Sequence, residues 1–472
     1  MKTYMVAGTG ISGLSAARLL LETGERVLLY DSNDKLNPDE IRVKCSDHGQ
    51  YDTTNLFICL GEMTRDILIE EGVTACVMSP GIDLTVPFLI PVRELNIPII
   101  GEIELAYCYS KGDILAITGT NGKTTTTSLV GAIMDADVKS GRGVYDQAFT
   151  VGNIGIPYAQ RAPLTTERSV TVAEISTFQL ETATSFRPNV SAILNITPDH
   201  LNRHKTMECY IEMKEKITRF QCEDDVCVLN FNDPVLREFG KKVKTKVVYF
   251  YSQGELEEGV FLRGDQIISK KDGVETPVCK TNEMNLIGVH NYENVMAAIA
   301  MTMAVGVSLD TIRETIRNFH AVEHRIEYTC TVNGVKYYND SKGTNPDAAI
   351  RAVLAMPSPT ILIGGGYDKH SEYEEWIRTF PGHIRYLLLL GATKEKIAKA
   401  CDACGFTNYR FVDTLEEAVR IAHDMAQPGE NVLLSPACAS WDMFDNFEQR
   451  GRLFKEYARA YEKAEKESQK SE

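Results

Sequence analysis

Two hydrophobic periods alternate along this chain. Short, nearly continuous apolar runs, the mark of buried strands, are followed by stretches with apolar residues every three or four positions, the mark of amphipathic helices. The pattern opens with KTYMVAGTGISGLSAARLLLETGERVLLYDSN: strand, glycine turn, helix, and a second strand ending at Asp31. Strand-like runs follow at LFICLG and ACVMSPGI, and Pro98 and Gly101 punctuate IPIIGEIEL. A second segment opens with DILAITGTNGKTTTT and carries the runs SVTVAEIS and SAILNIT and a helix around MECYIEMKEKITRF. From about Val226 to Val289 the text is richer in strands, before the helix NYENVMAAIAMTMAVG. A third segment, from AVEHRIEY onward, alternates again, with strands at KYYNDSK, TILIGGG, YLLLLG and NVLLSPA. The tail YEKAEKESQKSE reads as a frayed, solvated helix end.

Strand–helix alternation of this kind predicts an α/β protein with mostly parallel sheets covered by helices. At 472 residues the chain exceeds a single core, and about 150 residues per domain gives three. The punctuation places them at 1–101, 102–321 and 322–472.

Composition removes several classes. Hydrophobic content of 43% and charged content of 24% belong to a globular enzyme rather than a disordered chain. A formal charge of −15 with no basic block argues against a nucleic-acid partner or an anionic membrane surface. MKTYMVAGTG lacks the basic start and longer apolar core of a signal peptide. No segment approaches the ~18 apolar residues of a membrane span, so a cytoplasmic location is expected. Of the twelve cysteines only Cys401-x-x-Cys404 has metal or redox spacing, and without a second pair it reads as a helix-end coincidence.

The chemistry concentrates in the second segment. Gly119-Thr120-Asn121-Gly122-Lys123-Thr124 lies between a strand and a helix, two residues tighter than the common phosphate loop. Glycines turn backbone N–H groups toward phosphates, Lys123 adds a point charge, and Thr124 offers a hydroxyl to Mg²⁺ at a helix N-terminus. Glu174, at the expected carboxyl end of VTVAEIS, suits a metal-holding acid, or else caps the next helix. ILNITPDHLNRH places Asp199, His200, Asn202 and His204 after a strand, where they serve a divalent ion or form an ordinary loop. Lys214, among Glu212, Glu215 and Lys216, reads by itself as part of a solvated helix face. In the first segment Gly8-x-Gly10-x-x-Gly13, followed by Asp31, is close to the dinucleotide fingerprint. That leaves an NAD(P)-dependent dehydrogenase open beside an ATP-using enzyme whose substrate is linked to a nucleotide.

GTNGKTTT, EISTFQLE, LNITPDHLNRH, GVHNYENVMAA, EHRIE, NDSKGTNPDA and LLSPACASWDMFDNFEQRG occur in that order. Together they resemble the Mur ligase family, the ATP-dependent amide-forming enzymes of peptidoglycan precursor synthesis, and so of cell shape and division. SPGI at Ser79–Ile82 and the C-terminal SPACASWDMF point to the D-glutamate-adding branch. The resemblance implies a Rossmann-like N-terminal domain holding a UDP-linked substrate, a P-loop ATPase-like central domain, and a Rossmann-like C-terminal domain for the amino acid. It implies UDP-N-acetylmuramoyl-L-alanine and D-glutamate as substrates, ATP and two Mg²⁺ sites, and a monomer that closes around its ligands.

The site residues carry over by motif. Gly119, Thr120, Asn121, Gly122, Lys123, Thr124 and Thr125 would hold the phosphates. Thr124 and Glu174 would serve one Mg²⁺, and His200 with a carbamylated Lys214 the other, making Lys123, Glu174, His200 and Lys214 the catalytic set. His290, Asn291 and Asn294 would face the adenine side, with helix capping as the plain alternative for the asparagines. Arg325 and Asp340 would reach the nucleotide on closure. Gly10, Ile11, Ser12, Asp31, Ser32 and Ser79, with Asn153 of the second domain, would bind the UDP part. Lys342, Thr344, Lys369, Ser440, Trp441 and Phe447 would receive D-glutamate, whose two carboxylates need cations and N–H donors. Two positions depart from the family pattern: Asn202 stands where Asp is frequent, and Thr177 where a second Ser is common. A folylpolyglutamate-synthase-like ligase is the nearer alternative within the fold, and the first glycine turn argues against it.

Overall fold

The computed structural model describes residues 1–469 apart from His48, Ile154 and Ala321. The chain divides into two compact units, Met1–Lys280 with Glu293–Ile316, and Thr281–Tyr292 with Arg317–Glu472. The first unit contains two sheets and the second contains one.

The first sheet joins β1 (Thr3–Ala7), β2 (Arg26–Asp31), β3 (Leu56–Leu60), β4 (Val73–Met78) and β5 (Ile99–Gly101) in the order β3-β2-β1-β4-β5. All its pairs are parallel. The second runs from β6 (Asp113–Thr118) through β7 (Gln147–Gly152), β8 (Ser169–Glu174), β9 (Val190–Ile193) and β10 (Val226–Asn230). It continues with β11 (Lys246–Tyr251), β12 (Gly259–Arg263), β13 (Gln266–Lys271) and β14 (Val274–Lys280), in the spatial order β14-β13-β12-β11-β10-β9-β6-β8-β7. It is parallel except where β12, β13 and β14 form an antiparallel meander at one edge. Parallel strands buried on both faces need helices on both sides, whereas a meander needs only short turns. The strand-rich text between Val226 and Val289 is thus a parallel sheet running out into hairpins.

The second unit is built on β15 (Glu327–Val332), β16 (Val335–Asn339), β17 (Thr360–Gly364), β18 (Ile384–Leu389), β19 (Tyr409–Phe411) and β20 (Asn431–Leu434). Their order is β15-β16-β20-β17-β18-β19, with β15 antiparallel and the others parallel. β7, β15 and β19 have little continuous apolar text and were not expected as strands. Each is an edge strand, with one hydrogen-bonding side left without a strand neighbour, so less continuous apolar text is needed.

One apolar cluster runs from the first sheet into the second, from Val6 and Leu29 to Ala116 and Ile193. Two buried carboxylates reinforce that junction from helix Glu102–Tyr109. Glu104 accepts the N–H groups of Thr184 at 2.9 Å and Phe186 at 3.1 Å, and the Ser185 hydroxyl. Glu102 accepts the N–H of Ala159 at 2.6 Å. Backbone donors substitute for water around both groups.

Burial pushes the Glu102 carboxyl up from 4.5 to about 7, against the pull of its N–H donors. A carboxyl with a raised folded-state pKa binds its proton more tightly when folded, so stability is lost as pH rises from about 4.5 to about 7. Glu102→Gln keeps an oxygen acceptor and removes the ionisation penalty. Thermal denaturation should show the variant more stable by about 1–3 kcal/mol at pH 8 and matched to the parent near pH 4.5. A difference independent of pH would contradict this account.

Candidate active site

In an open parallel sheet, ligands bind beyond the carboxyl ends of the strands, at the point where strand order reverses. In the first sheet that point lies between β1 and β4. Gly8 turns with φ +99°, and a Cβ on Gly13 would lie 1.9 Å from the Gly8 carbonyl oxygen, so helix Ile11–Glu22 can pack this close only with glycine there. Ser79, after β4, donates its hydroxyl to the Ala7 carbonyl at 2.7 Å. Asp31 accepts the N–H and hydroxyl of Thr9 at 3.2 and 2.7 Å.

Gly10, Ile11, Ser12, Asp31, Ser32, Ser79 and Asn153 all line a single cleft of about 900 Å³. That volume suits a large nucleotide-linked ligand. The cleft also contains Tyr30 and Phe88, whose rings lie 4.7 Å apart, and Gln179. Phe88 lies in loop text with no motif around it, so its place emerged only from the fold.

The phosphate loop follows β6, which sits between β9 and β8. Gly119 and Gly122 have φ of +148° and +84°, and helix Lys123–Ser140 begins directly after them. A Cβ on Gly122 would lie 2.2 Å from the Asn294 Oδ1 atom. The Lys123 ammonium donates to the carbonyls of Gly119 at 2.8 Å and Thr120 at 3.0 Å. The loop is clamped from the segment after β9. Asn195 accepts the Asn121 N–H at 2.8 Å through Oδ1 and donates to the Asn121 carbonyl at 3.1 Å. Thr120 receives the Thr197 N–H at 3.0 Å, and its hydroxyl meets the Tyr210 hydroxyl at 3.1 Å. Asn195, Thr197 and Tyr210 were missed from the sequence. The two polar residues that break the apolar run in ILNIT were the available signal.

Glu174 ends β8, paired with Ile117 of β6, and is 1% exposed. It does not cap the next helix: Ser176 does, in a capping box with Gln179. One carboxylate oxygen of Glu174 accepts the Asn153 amide at 2.9 Å, and the other is buried with no hydrogen-bond partner. A buried half-satisfied carboxylate beside a phosphate loop fits a cation ligand. Asn153 also joins this acid to the nucleotide-sized cleft.

The polar cluster after β9 divides. His200 is left-handed at φ 52°, with its side chain 48% exposed and its ring 4.9 Å from Phe178. His204 points inward, with Nε2 3.0 Å from the Thr177 hydroxyl, so Thr177 puts its hydroxyl to use in a buried polar contact. The Asn202 side chain lies outside the described residues.

Lys214 corrects its own sequence reading. It does not belong to a solvated face: it is 2% exposed, with Nζ 4.6 Å from the centre of the Tyr210 ring. Burial, assisted by the Lys123 charge, holds its ammonium well below the usual lysine range. Its neighbours Glu212, Glu215 and Lys216 are each at least partly exposed, so the charged text was true of them and false of Lys214. The capping alternative for Asn291 and Asn294 also fails. Both lie within helix Val289–Ala304, and the Asn291 amide donates back to the Ile287 carbonyl at 2.7 Å.

In the second unit β16, β20 and β17 are adjacent, and the loops beyond their carboxyl ends carry NDSKGTN, SPACASW and GGGYDK. Asp340 is buried, accepting the Ser435 hydroxyl at 2.7 Å and the Ile326 N–H at 3.2 Å. Burial pushes its carboxyl up to about 7, against Ser435 and the nearby Arg325 charge. Arg325 is flanked by His324 at φ 67° and Ile326 at φ 45°. A β-branched residue in that region stores strain of about 1–3 kcal/mol, held here by the bond to Asp340. Lys342 lies 3.9 Å from the centre of the Phe447 ring, and Lys369 lies 5.1 Å from that of Trp441. Trp441 is 63% exposed while Ser440 is buried, and Thr344 follows Lys342 in the same turn. Cys401 and Cys404 lie at the end of helix Lys394–Ala403, as the helix-end reading has it.

Comparison with known proteins supplies the family. Residues 2–101 match the Mur ligase MurD-like N-terminal domain, 117–302 the Mur ligase middle domain, and 324–438 the Mur ligase glutamate ligase domain. A UDP-N-acetylmuramoylalanine–D-glutamate ligase of Lachnoclostridium phytofermentans is 51% identical, over 97% of this chain and 98% of its own. One of Lachnospira eligens is 49% identical over 96% and 98%. Among solved structures, the UDP-N-acetylmuramate–alanine ligase MurC of Thermotoga maritima superposes with a TM-score of 0.57 at 18% identity, covering 98% of this chain and 99% of that one. The MurF ligase of the same organism, solved with ADP, gives 0.54 at 17% identity, covering 84% and 91%. These two share the fold. The chain belongs to the Mur ligase family, and its relatives within it are the UDP-N-acetylmuramoylalanine–D-glutamate ligases. The dehydrogenase and folylpolyglutamate-synthase-like alternatives fall away, because the glycine turn belongs to the MurD-like N-terminal domain.

Gly122→Ala tests the phosphate loop. Its added methyl meets Asn294 and an unfavourable φ, at a cost of about 1–2 kcal/mol in stability. Calorimetric titration with a non-hydrolysable ATP analogue should show affinity at least tenfold weaker. Parental affinity would remove the loop from the nucleotide site.

Proposed function

We propose that this protein joins D-glutamate to UDP-N-acetylmuramoyl-L-alanine with ATP, through an acyl phosphate, in peptidoglycan precursor synthesis. The observation that carries the reading is identity of about half, over nearly the whole length, to ligases named for that reaction. The geometry supports it, because Asn153 lines the nucleotide-sized cleft and bonds Glu174, whose strand pairs with the one that runs into the phosphate loop.

The cleft residues Gly10, Ile11, Ser12, Asp31, Ser32 and Ser79 bind the UDP portion and direct the alanyl carboxylate toward Asn153 and Glu174. Lys123 and the N–H groups of Gly119 to Thr125 hold the ATP phosphates. The substrate carboxylate oxygen attacks the γ-phosphorus, the bond to the bridging oxygen breaks, and ADP leaves. A carboxylate is a poor electrophile, so phosphorylation supplies both an activated carbonyl and a leaving group. The amine of D-glutamate, oriented by Lys342, Thr344, Lys369, Ser440, Trp441 and Phe447, attacks that carbonyl and loses a proton, and inorganic phosphate departs. Catalysis rests chiefly on positioning and on neutralising phosphate charge.

Thr124 and Glu174 would hold one Mg²⁺, and His200 with Lys214 a second. Bound there, the ions would supply positive charge at the transferring phosphoryl group. The unpartnered oxygen of Glu174 and the buried, depressed amine of Lys214 fit this assignment. Once deprotonated, the amine can add carbon dioxide with release of a further proton, and the carbamate formed would offer an oxygen donor in place of a cation. His290, Asn291, Asn294, Arg325 and Asp340 complete the nucleotide contacts. The domains at 1–101, 102–321 and 322–472 take the UDP substrate, ATP and the amino acid in turn. The protein acts as a cytoplasmic monomer. Among the described residues no helix is long and apolar enough to cross a membrane.

Phosphate release should be measured with Mg-ATP and UDP-N-acetylmuramoyl-L-alanine, offering D-glutamate, L-glutamate, L-lysine and glycine separately. Release with D-glutamate alone, and a product one glutamyl unit heavier, is expected. Release with another amino acid instead would reassign the acceptor. Lys214→Ala should lose at least 100-fold in turnover and recover part of it with added formate or acetate. Full activity without rescue would return Lys214 to a purely structural role.

A further inference from the structure

Among the described residues, the most heavily bonded buried cation outside the phosphate site is Arg450, in the first turns of helix Phe447–Gln469. It is 1% exposed. Its Nε donates to the Ser341 hydroxyl at 3.0 Å, and Nη2 donates to the carbonyls of Ser341 at 2.9 Å and Cys438 at 3.1 Å. Nη1 donates to the Ala439 carbonyl at 3.3 Å. None of these acceptors is a carboxylate. A guanidinium buried against neutral oxygens carries a desolvation cost that a purely stabilising contact would avoid, since apolar packing of similar volume serves stability as well or better. Burial draws Arg450 down to about 10.

The acceptors are arranged systematically. Ser341 immediately precedes Lys342, and Cys438 and Ala439 immediately precede Ser440 and Trp441. One planar fork therefore fixes the loop after β16 to the loop after β20. The same helix start adds two further ties: Ser341 donates its hydroxyl to the Phe447 carbonyl at 2.7 Å, and Phe447 lies under the Lys342 ammonium. Gly451 faces the turn carrying Arg325, where an added Cβ would lie 2.2 Å from His324 Nδ1.

We propose that Arg450 is a positioning residue for the amine-bearing substrate, setting the spacing between Lys342 on one loop and Ser440 on the other. The proposal rests on the assignment of these loops to the amino-acid acceptor. Arg450 touches no reacting atom. It acts by holding two backbone segments whose side chains must match two carboxylates at once. Lysine at this position would keep the charge but offer a single point donor in place of the fork, so it could not bond both loops with the same geometry.

Initial rates should be measured for Arg450→Lys, and for Ser341→Ala as a milder loss at the same junction, varying each substrate in turn. The expected result is a KM for D-glutamate raised at least tenfold in Arg450→Lys and about threefold in Ser341→Ala. KM for ATP and for the UDP substrate should stay within twofold of the parent. A general loss in kcat with no selective change in the amino-acid KM, in whichever variant folds, would overturn the proposal and leave Arg450 a stability residue. The parent enzyme tests the underlying reading separately. If it used a different amino acid, the selective KM change would be read with that one, and its absence would be equally decisive.

Discussion

The structure depends on one constraint, the directionality of parallel strands. Parallel neighbours all finish at the same edge, so the loops after them are gathered there while the helices return along the faces. In the second sheet this places the phosphate loop after β6 between Glu174, at the end of β8, and Asn195 and Thr197, after β9. In the third it gathers the loops after β16, β20 and β17. None of these groupings requires residues close in sequence.

The buried polar groups fall into two kinds. Some are multiply bonded and act as braces: Asn195 bonds both ways to Asn121, Glu104 takes two N–H groups and a hydroxyl, and Arg450 spans two loops. Others are buried with part of their bonding capacity left over, as at Glu174, or buried in a form that disfavours their charge, as at Lys214. Burying such groups costs stability unless a ligand completes them. Within the first unit such groups gather near the loop after β6, which is the pattern of residues kept for a ligand rather than for stability alone.

The site was legible in the text wherever backbone geometry demanded a particular residue type. Gly8, Gly13, Gly119 and Gly122 are glycines because a Cβ there would strike backbone or a side chain, or would sit at positive φ, and such demands leave spaced motifs. The seven first-cleft residues selected from the sequence do converge on one cavity. Phe88, Tyr210 and Arg450 left no such trace, because an aromatic or a cation in ordinary text acquires its role from what packs against it. Resemblance to a family, and not the periodicity of the chain, brought Lys214 into consideration.

The sequence alone determined the α/β class, the three sheet-bearing segments, the phosphate loop and the strand-end acid, since these follow from local period and local backbone geometry. Tertiary structure decided the rest. It set the burial that takes Lys214 off the surface and disfavours its charge, and the edge positions that let β7, β15 and β19 form from weak text. It also set the pairing of distant loops through Asn195 and Arg450. Burial and contact are properties of the whole packed chain, and no window of sequence contains them.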